Sequence, residues 1–351
     1  MNPKYHFVPD PNTGFLTDDD TKKYISRFFW SVFAMEVATF VSATIISTVV
    51  ALIIRTFAPG ALASADFVSV TNNLISDLSI YCIALPIFCI VANPLPIVKP
   101  TKVKMGVGKW ITGFCICVFF MQTGSYISNM LITFVQGISG SNLTNPVESM
   151  IDGTSIWIDI LFLVVVAPVL EELLFRKILC DKLLPLGEGY AVIISAVVFG
   201  LSHGNLFQFA YAALIGLVFA FVYVKTGKLI YSITYHMALN FLGGIVAPWV
   251  YENADIDGLL NFIESGSDNI DEMMNLATGM LPLLVYNFVF YILATVGLIL
   301  FIIVLSKKRI AFESGILAPP PKKRFVNVVF TTGTAALVTA YVVTFILSIL
   351  T

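Results

Sequence analysis

The sequence predicts an all-α, polytopic transmembrane helix bundle of about nine membrane segments with a cytoplasmic N-terminus, and three observations carry that prediction. Of the 351 residues, 58% are hydrophobic and only 12% are charged, against about 45–50% and about 25% in soluble domains. The apolar residues gather into runs close to the roughly 20 residues that span hydrocarbon. The basic residues gather into alternate loops between those runs.

Taken in order, residues 1–27 form a polar cytoplasmic tail without the apolar core of a signal peptide, so insertion falls to the first membrane helix. Candidate spans follow at 28–54, 78–98, 110–135, 155–180, 190–203, 206–224, 229–250, 280–306 and 325–350. The fifth is short, but fusing it with the sixth would put Lys182 on the opposite side of the membrane from Lys225 and Lys228. Kept apart, the segments satisfy the positive-inside rule. Of the 20 Lys and Arg residues, all but Arg55 fall in 1–27, 99–109, 176–189, 225–228 and 307–324. The longest outside loop, "YENADIDGLLNFIESGSDNIDEMMN", has acids and no base. The chain divides into the tail, N-terminal membrane helices over 28–155, a central region over 156–250, an acidic extracytoplasmic loop over 251–279 and C-terminal membrane helices over 280–351. "SKKRIAFESGILAPPPKKR" reads as a cytoplasmic linker stiffened by proline.

Composition also excludes partners. A net charge of −2 offers no basic surface for nucleic acid. The five cysteines all lie in apolar runs and read as free, buried thiols. The chain is expected to be an integral membrane protein, in the cell membrane if its host is bacterial, with the lipid bilayer as a partner.

Four carboxylates fall inside the candidate spans: Glu36, Asp159, Glu171 and Glu172. Ionisable groups at that depth face a bundle interior or a watery cavity, and each is a functional candidate. Glu36 stands alone and suits a local hydrogen bond. Asp159 lies near the outer end of its helix, within reach of interfacial water. The adjacent pair in "APVLEELLFRKIL" differs from both. Glu172 and Arg176 are four residues apart in the favourable order for a helical ion pair, which leaves Glu171 on a face about 100° away. Pro168 weakens the helix just before them and frees a carbonyl.

Two of the three histidines are intramembrane, His203 in "FGLSHGN" and His236 in "SITYHMALNF". His236 and Asn240 share a helix face. Counted from the basic helix ends, Glu171 and His203 lie about 20 Å in, His236 about 10 Å and Asn240 about 17 Å. These groups can meet in one half of the membrane, with the short fifth helix ending inside the bilayer and its turn lining a cavity open to the cytoplasm. A carboxylate, two imidazoles and a carboxamide at one depth suggest hydrolysis.

At these residues the chain resembles a known family. "EELLFR" matches EExxxR, "FGLSH" matches FxxxH and "HMALN" matches HxxxN, in that order, over roughly Ile156 to Val250. The family is the CPBP (Abi) group of intramembrane proteases, whose eukaryotic relatives are the type II CAAX prenyl endopeptidases. The resemblance implies hydrolysis of a peptide bond in a membrane-associated peptide or protein, lipidated or not, reached from the cytoplasm or laterally from lipid. It implies Glu171 as the carboxylate that activates water, assisted by His203. His236 and Asn240 would bind the oxyanion or complete the polar cage. Glu172 and Arg176 would form the structural pair, and Phe199 would pack the helix.

Members of the family have been described both as metalloproteases and as glutamate-type proteases. Glu171, His203 and His236 would be the ligands of a zinc ion that keeps one position for water. HExxH is absent, and Asn240 suits an oxyanion better than zinc, so the metal-free type is favoured. Two rival classes stand beside the enzyme. A membrane scaffold or bacteriocin-immunity protein would bind a peptide without cleaving it, but has no need of an uncompensated Glu171. A proton-coupled transporter would use Glu and His as a relay, but would carry paired repeats, and none is visible.

Overall fold

The computed structural model describes residues 7–140, 142–145, 153–266, 269–321 and 324–350. Among these the chain is helical, with no β-strand and one isolated bridge between Gly187 and Ser314. In chain order the helices are α1 (Asp18–Phe57), α2 (Ala65–Ala92), α3 (Val107–Ser139), α4 (156–183), α5 (Glu188–Ser202), α6 (Leu206–Thr226), α7 (Leu229–Glu252), α8 (Ile256–Ser265), α9 (Ile270–Ser306), α10 (Arg324–Val329) and α11 (Thr332–Leu350). Every expected apolar segment falls on a helix. Seven of the described helices, α1, α2, α3, α6, α7, α9 and α11, are long and apolar enough to cross a membrane. The chain is an integral membrane protein. The two remaining expected segments are α4, which passes through π-helical turns at Ile160–Val166 and Leu173–Cys180, and the short α5.

The centre of the bundle is α4, α5 and α6, enclosed by α3 and α7. Glycine permits the close approach of α5 to α6. A Cβ on Gly200 would stand 2.6 Å from the Phe209 carbonyl, and one on Gly216 3.1 Å from the Phe199 ring. The π-helical turns of α4 let it present Glu171 and Glu172 to different neighbours. Outside this core, α9 lies on α3 and α11 lies on α1. Their outward faces, with Phe40 and Leu52 on α1 and Phe288 and Ile302 on α9, are exposed hydrocarbon suited to lipid.

Some expected boundaries move. The second span begins at Ala65 rather than 78, because the Ser64 side chain caps it by accepting from the Phe67 N–H. That brings Asp77 inside a membrane helix as a fifth intramembrane carboxylate. The acidic loop contains α8, and α9 begins at Ile270, where Asn269 caps it. The cysteines are all free, but Cys82 and Cys89 are exposed on the outer side of α2 rather than buried. Glu36 accepts a hydrogen bond from the Tyr341 hydroxyl at 2.7 Å, joining α1 to α11. Asp159 accepts from the Thr154 hydroxyl at 2.7 Å.

The basic end of the bundle is densely laced. Lys182 donates to the Ala92 and Leu95 carbonyls, the Tyr24 hydroxyl donates to the Lys182 carbonyl, and Val103 N–H donates to the Thr226 carbonyl. The two carbonyls supply the acceptors that the buried Lys182 ammonium requires. The proline-rich segment expected to be a linker is a strap across this end. Leu317 N–H donates to the Pro185 carbonyl, Glu188 N–H to the Glu313 carbonyl, and Leu317, Ala318 and Pro319 are buried. Glu188 ties the strap to α6 through Lys225.

The close packing of α9 on α3 predicts a specific sensitivity. A side chain at Gly297 would collide with the Cys115 carbonyl, whereas Gly137 faces open space. Gly297→Ile should cost about 1–3 kcal/mol of stability, read as a lowered thermal midpoint in detergent. Gly137→Ala should leave the midpoint unchanged or slightly raised.

Candidate active site

The site begins with Pro168. It has no N–H, and in the π register of the preceding turn, where Ala167 N–H reaches back to the Phe162 carbonyl, its missing donor would have served Leu163. The orphaned Leu163 carbonyl is met by the side chain of Asn240, whose amide donates to it at 2.9 Å. The contact locks α7 to α4 just before the two glutamates. Close helix contact is helped by Gly244, where a Cβ would stand 2.5 Å from the Leu163 side chain.

Glu172 and Arg176 form a fully buried pair. Arg176 donates through Nε to Oε2 at 3.0 Å and through Nη2 to Oε1 at 3.3 Å, and both side chains are 0% exposed. The remaining guanidinium nitrogen Nη1 donates to the Ser195 hydroxyl at 2.8 Å, which in turn donates to the Phe175 carbonyl. The guanidinium lies against the Phe199 and Phe219 rings, 4.8 and 5.6 Å from their centroids. Buried charge is tolerated here because it is paired, hydrogen-bonded and enclosed by aromatic faces.

His236 lies between the two glutamates. Its Nδ1 is 3.4 Å from Glu172 Oε1 and its Nε2 is 3.7 Å from Glu171 Oε2. The ring is 4% exposed and is held by Phe199 and Phe219 at centroid distances of 5.6 and 5.2 Å. Glu171 is the open member of the pair at 27% exposure, and its Oε2 is buried without a hydrogen bond. His203 ends α5. Its Nδ1 lies 2.9 Å from the Phe199 carbonyl. A carbonyl can only accept, so Nδ1 carries the proton in the neutral ring and Nε2 keeps its lone pair. The turn that follows is built by Gly204 at φ +65° and by Asn205, whose side chain caps α6 and donates to the His203 carbonyl.

Glu171, His203, His236, Asn240 and Phe199 all line one cavity of about 480 Å³. The structure thus brings together the residues singled out in the sequence, with two corrections. Asn240 spends one amide N–H on Leu163, so it can offer an oxyanion only the other. The cavity runs from Glu171 toward the acidic end of the bundle, lined there by Asn73, Asn129 and Asn145, and no residue at the basic end lines it. The sequence reading missed its far walls: Asn73, Asp77 and Tyr81 on α2, Ser125 and Asn129 on α3, and Gln208 and Tyr211 on α6. The i, i+4, i+8 spacing of the α2 residues was a signal, obscured by starting that span at 78.

Among the described residues no three His, Cys, Asp or Glu side chains form a group that could hold a metal ion. Glu171, His203 and His236, the set considered for zinc, all line the cavity, and His203, with Nδ1 on the Phe199 carbonyl, keeps its Nε2 lone pair.

Residues 153–242 match the family model described as type II CAAX prenyl endopeptidase Rce1-like. The chain is 34% identical over 100 residues to CAAX prenyl protease 2 of Homo sapiens, covering 22% of this chain and 30% of the relative. It is 30% identical over 132 residues to the putative membrane peptidase YdiL of Bacillus subtilis, covering 37% and 52%. It is 27% identical over 217 residues to the membrane-embedded CAAX protease MroQ of Staphylococcus aureus, covering 55% and 84%. The matches thus span about half or less of the first two relatives' length. No solved structure matches. The matched segment holds all three motifs and the central residues of the cavity floor, and over it the chain is similar to the type II CAAX prenyl endopeptidases and their membrane-peptidase relatives.

Proposed function

We propose that the chain is an intramembrane endopeptidase that hydrolyses a peptide bond of a membrane-associated polypeptide, with Glu171 as general base. The observation that carries this reading is the contrast between two neighbouring carboxylates. Glu172 is fully satisfied by Arg176, while Glu171 faces the cavity with a buried oxygen that has no hydrogen bond. An unpartnered buried acceptor is costly to keep, and a water or substrate group in the cavity would supply its missing partner.

In this mechanism a water held between Glu171 and the Nε2 lone pair of His203 attacks the scissile carbonyl carbon while Glu171 takes its proton. Negative charge develops on the carbonyl oxygen. His236, fixed by Glu172 on one side and by two aromatic rings, is placed to stabilise that charge, with the second N–H of Asn240 as a further donor. Collapse of the tetrahedral intermediate breaks the C–N bond, and protonated Glu171 returns its proton to the departing amine. The products are a carboxylate and an amine. Glu171, His203, His236 and Asn240 are the proposed catalytic residues, with Glu172, Arg176 and Phe199 as their support.

The test is mass-spectrometric cleavage profiling of a mixed peptide pool, with and without lipid tails, by purified protein and its Glu171→Gln variant. Wild type should make discrete cuts, and the variant should lose about 10²–10⁴-fold in kcat/KM. Equal cutting by a folded variant, or no cutting by either protein, would overturn the reading. Exhaustive chelation should leave the activity of the wild-type protein unchanged. Stoichiometric metal lost together with activity would contradict the mechanism.

A further inference from the structure

We infer that the site takes its polypeptide from the extracytoplasmic side of the membrane. The inference rests on the endopeptidase reading for the fate of that polypeptide, and on independent observations for the direction of entry.

The first observation is where the cavity ends. Its lowest lining residue on α7, His236, is about 10 Å above the basic end of that helix, and those on α4, α5 and α6, Glu171, Phe199 and Ile215, are about 16–18 Å above theirs. In the other direction it climbs past Ser125 to Asn129 on α3 and past Asp77 to Asn73 on α2, and reaches Asn145 in the connection between α3 and α4. The climbing walls are polar, with spacing of four residues on each helix, so a hydrated path is built into both.

The second is what lies beneath. Between Glu171 and the basic end stand Phe175, Arg176, Leu179, Phe219, Tyr223 and Tyr235, each no more than 3% exposed. Below them Lys182, the 93–106 connection and the strap close the bundle with backbone hydrogen bonds. An entry route from the basic end would have to break the Glu172–Arg176–Ser195 network.

The third is the sidedness of charge. The helix ends and connections beneath the plug hold Lys22, Lys23, Lys99, Lys182, Lys225 and Lys307, and Arg55 in the last turn of α1 is the one base near the opposite end. The connections at the open end, 58–64, 140–155, 203–205 and 253–269, hold no Lys or Arg. The positive-inside rule makes the plugged end cytoplasmic and the open end extracytoplasmic. The substrate is therefore an extended segment of polypeptide exposed at the outer surface of the membrane. This reverses the direction expected from the sequence.

Accessibility tests the direction without requiring catalysis. In a chain whose five cysteines are replaced by Ala, single substitutions Asn129→Cys and Asn73→Cys probe the two walls. Asp257→Cys on α8 and Lys308→Cys after α9 mark the two ends. A membrane-impermeant maleimide should label Asn129→Cys, Asn73→Cys and Asp257→Cys in intact cells and leave Lys308→Cys unlabelled. In sealed inverted vesicles only Lys308→Cys should react. Labelling of both wall positions from the Lys308 side, or of neither wall position from either side, would overturn the inference. Loss of peptide cleavage with outward labelling intact would count against the endopeptidase reading alone.

Discussion

The constraint on which the rest of this structure depends is the buried ion pair of Glu172 and Arg176. Two opposite charges at the centre of a hydrocarbon-embedded bundle are stable only if every donor and acceptor is used. Here the guanidinium spends its three nitrogens on the carboxylate and on Ser195, and lies against Phe199 and Phe219. The same rings hold His236, and the same carboxylate stands beside its Nδ1. The ion pair therefore fixes α4, α5, α6 and α7 together. It also forms the floor on which the neighbouring glutamate stands, and the plug that seals the basic end.

A second constraint is local and comes from backbone. Pro168 and the π-helical turn before it leave the Leu163 carbonyl without its helical donor, and Asn240 supplies one. A break in one helix thus becomes a specific link between two. Beyond it, Gly243 and Gly244 keep α7 thin beside the cavity, where added side chains would meet Met121 and Leu163. The cavity is kept open by what these positions lack, and the motif residues line its floor.

Much of this was legible in the sequence because membranes impose simple rules. Apolar runs gave the helices, alternating basic loops gave their direction, and the i, i+4 spacing of Glu172 and Arg176 announced the ion pair. The short fifth segment and the "HGN" turn were visible for the same reason, since a 15-residue helix followed by Gly204 and Asn205 ends before the membrane does. Less accessible were features set by tertiary contact. Asn240 reads as a free amide until the orphaned Leu163 carbonyl is placed beside it. The strap over 313–319 reads as a linker until Pro185 and Glu188 supply its partners. The polar wall of α2 was hidden by a boundary drawn thirteen residues late, because a hydropathy criterion discards the very Asn and Asp that line a cavity. The direction of that cavity depends on which end the aromatic plug closes, and no spacing in one helix encodes it.

The central claim is a division of labour between adjacent glutamates, with one holding the fold and the other left free for chemistry. It is tested most directly by thermal unfolding of Glu171→Gln and Glu172→Gln side by side in the same detergent. Removing the charge of Glu172 strands a buried guanidinium, which should cost about 3–5 kcal/mol and lower the midpoint by many degrees. Glu171→Gln should unfold at or above the wild-type temperature, because it removes a second negative charge beside Glu172 and breaks no hydrogen bond of the buried oxygen. Equal destabilisation by the two substitutions, or a larger loss from Glu171→Gln, would contradict the account.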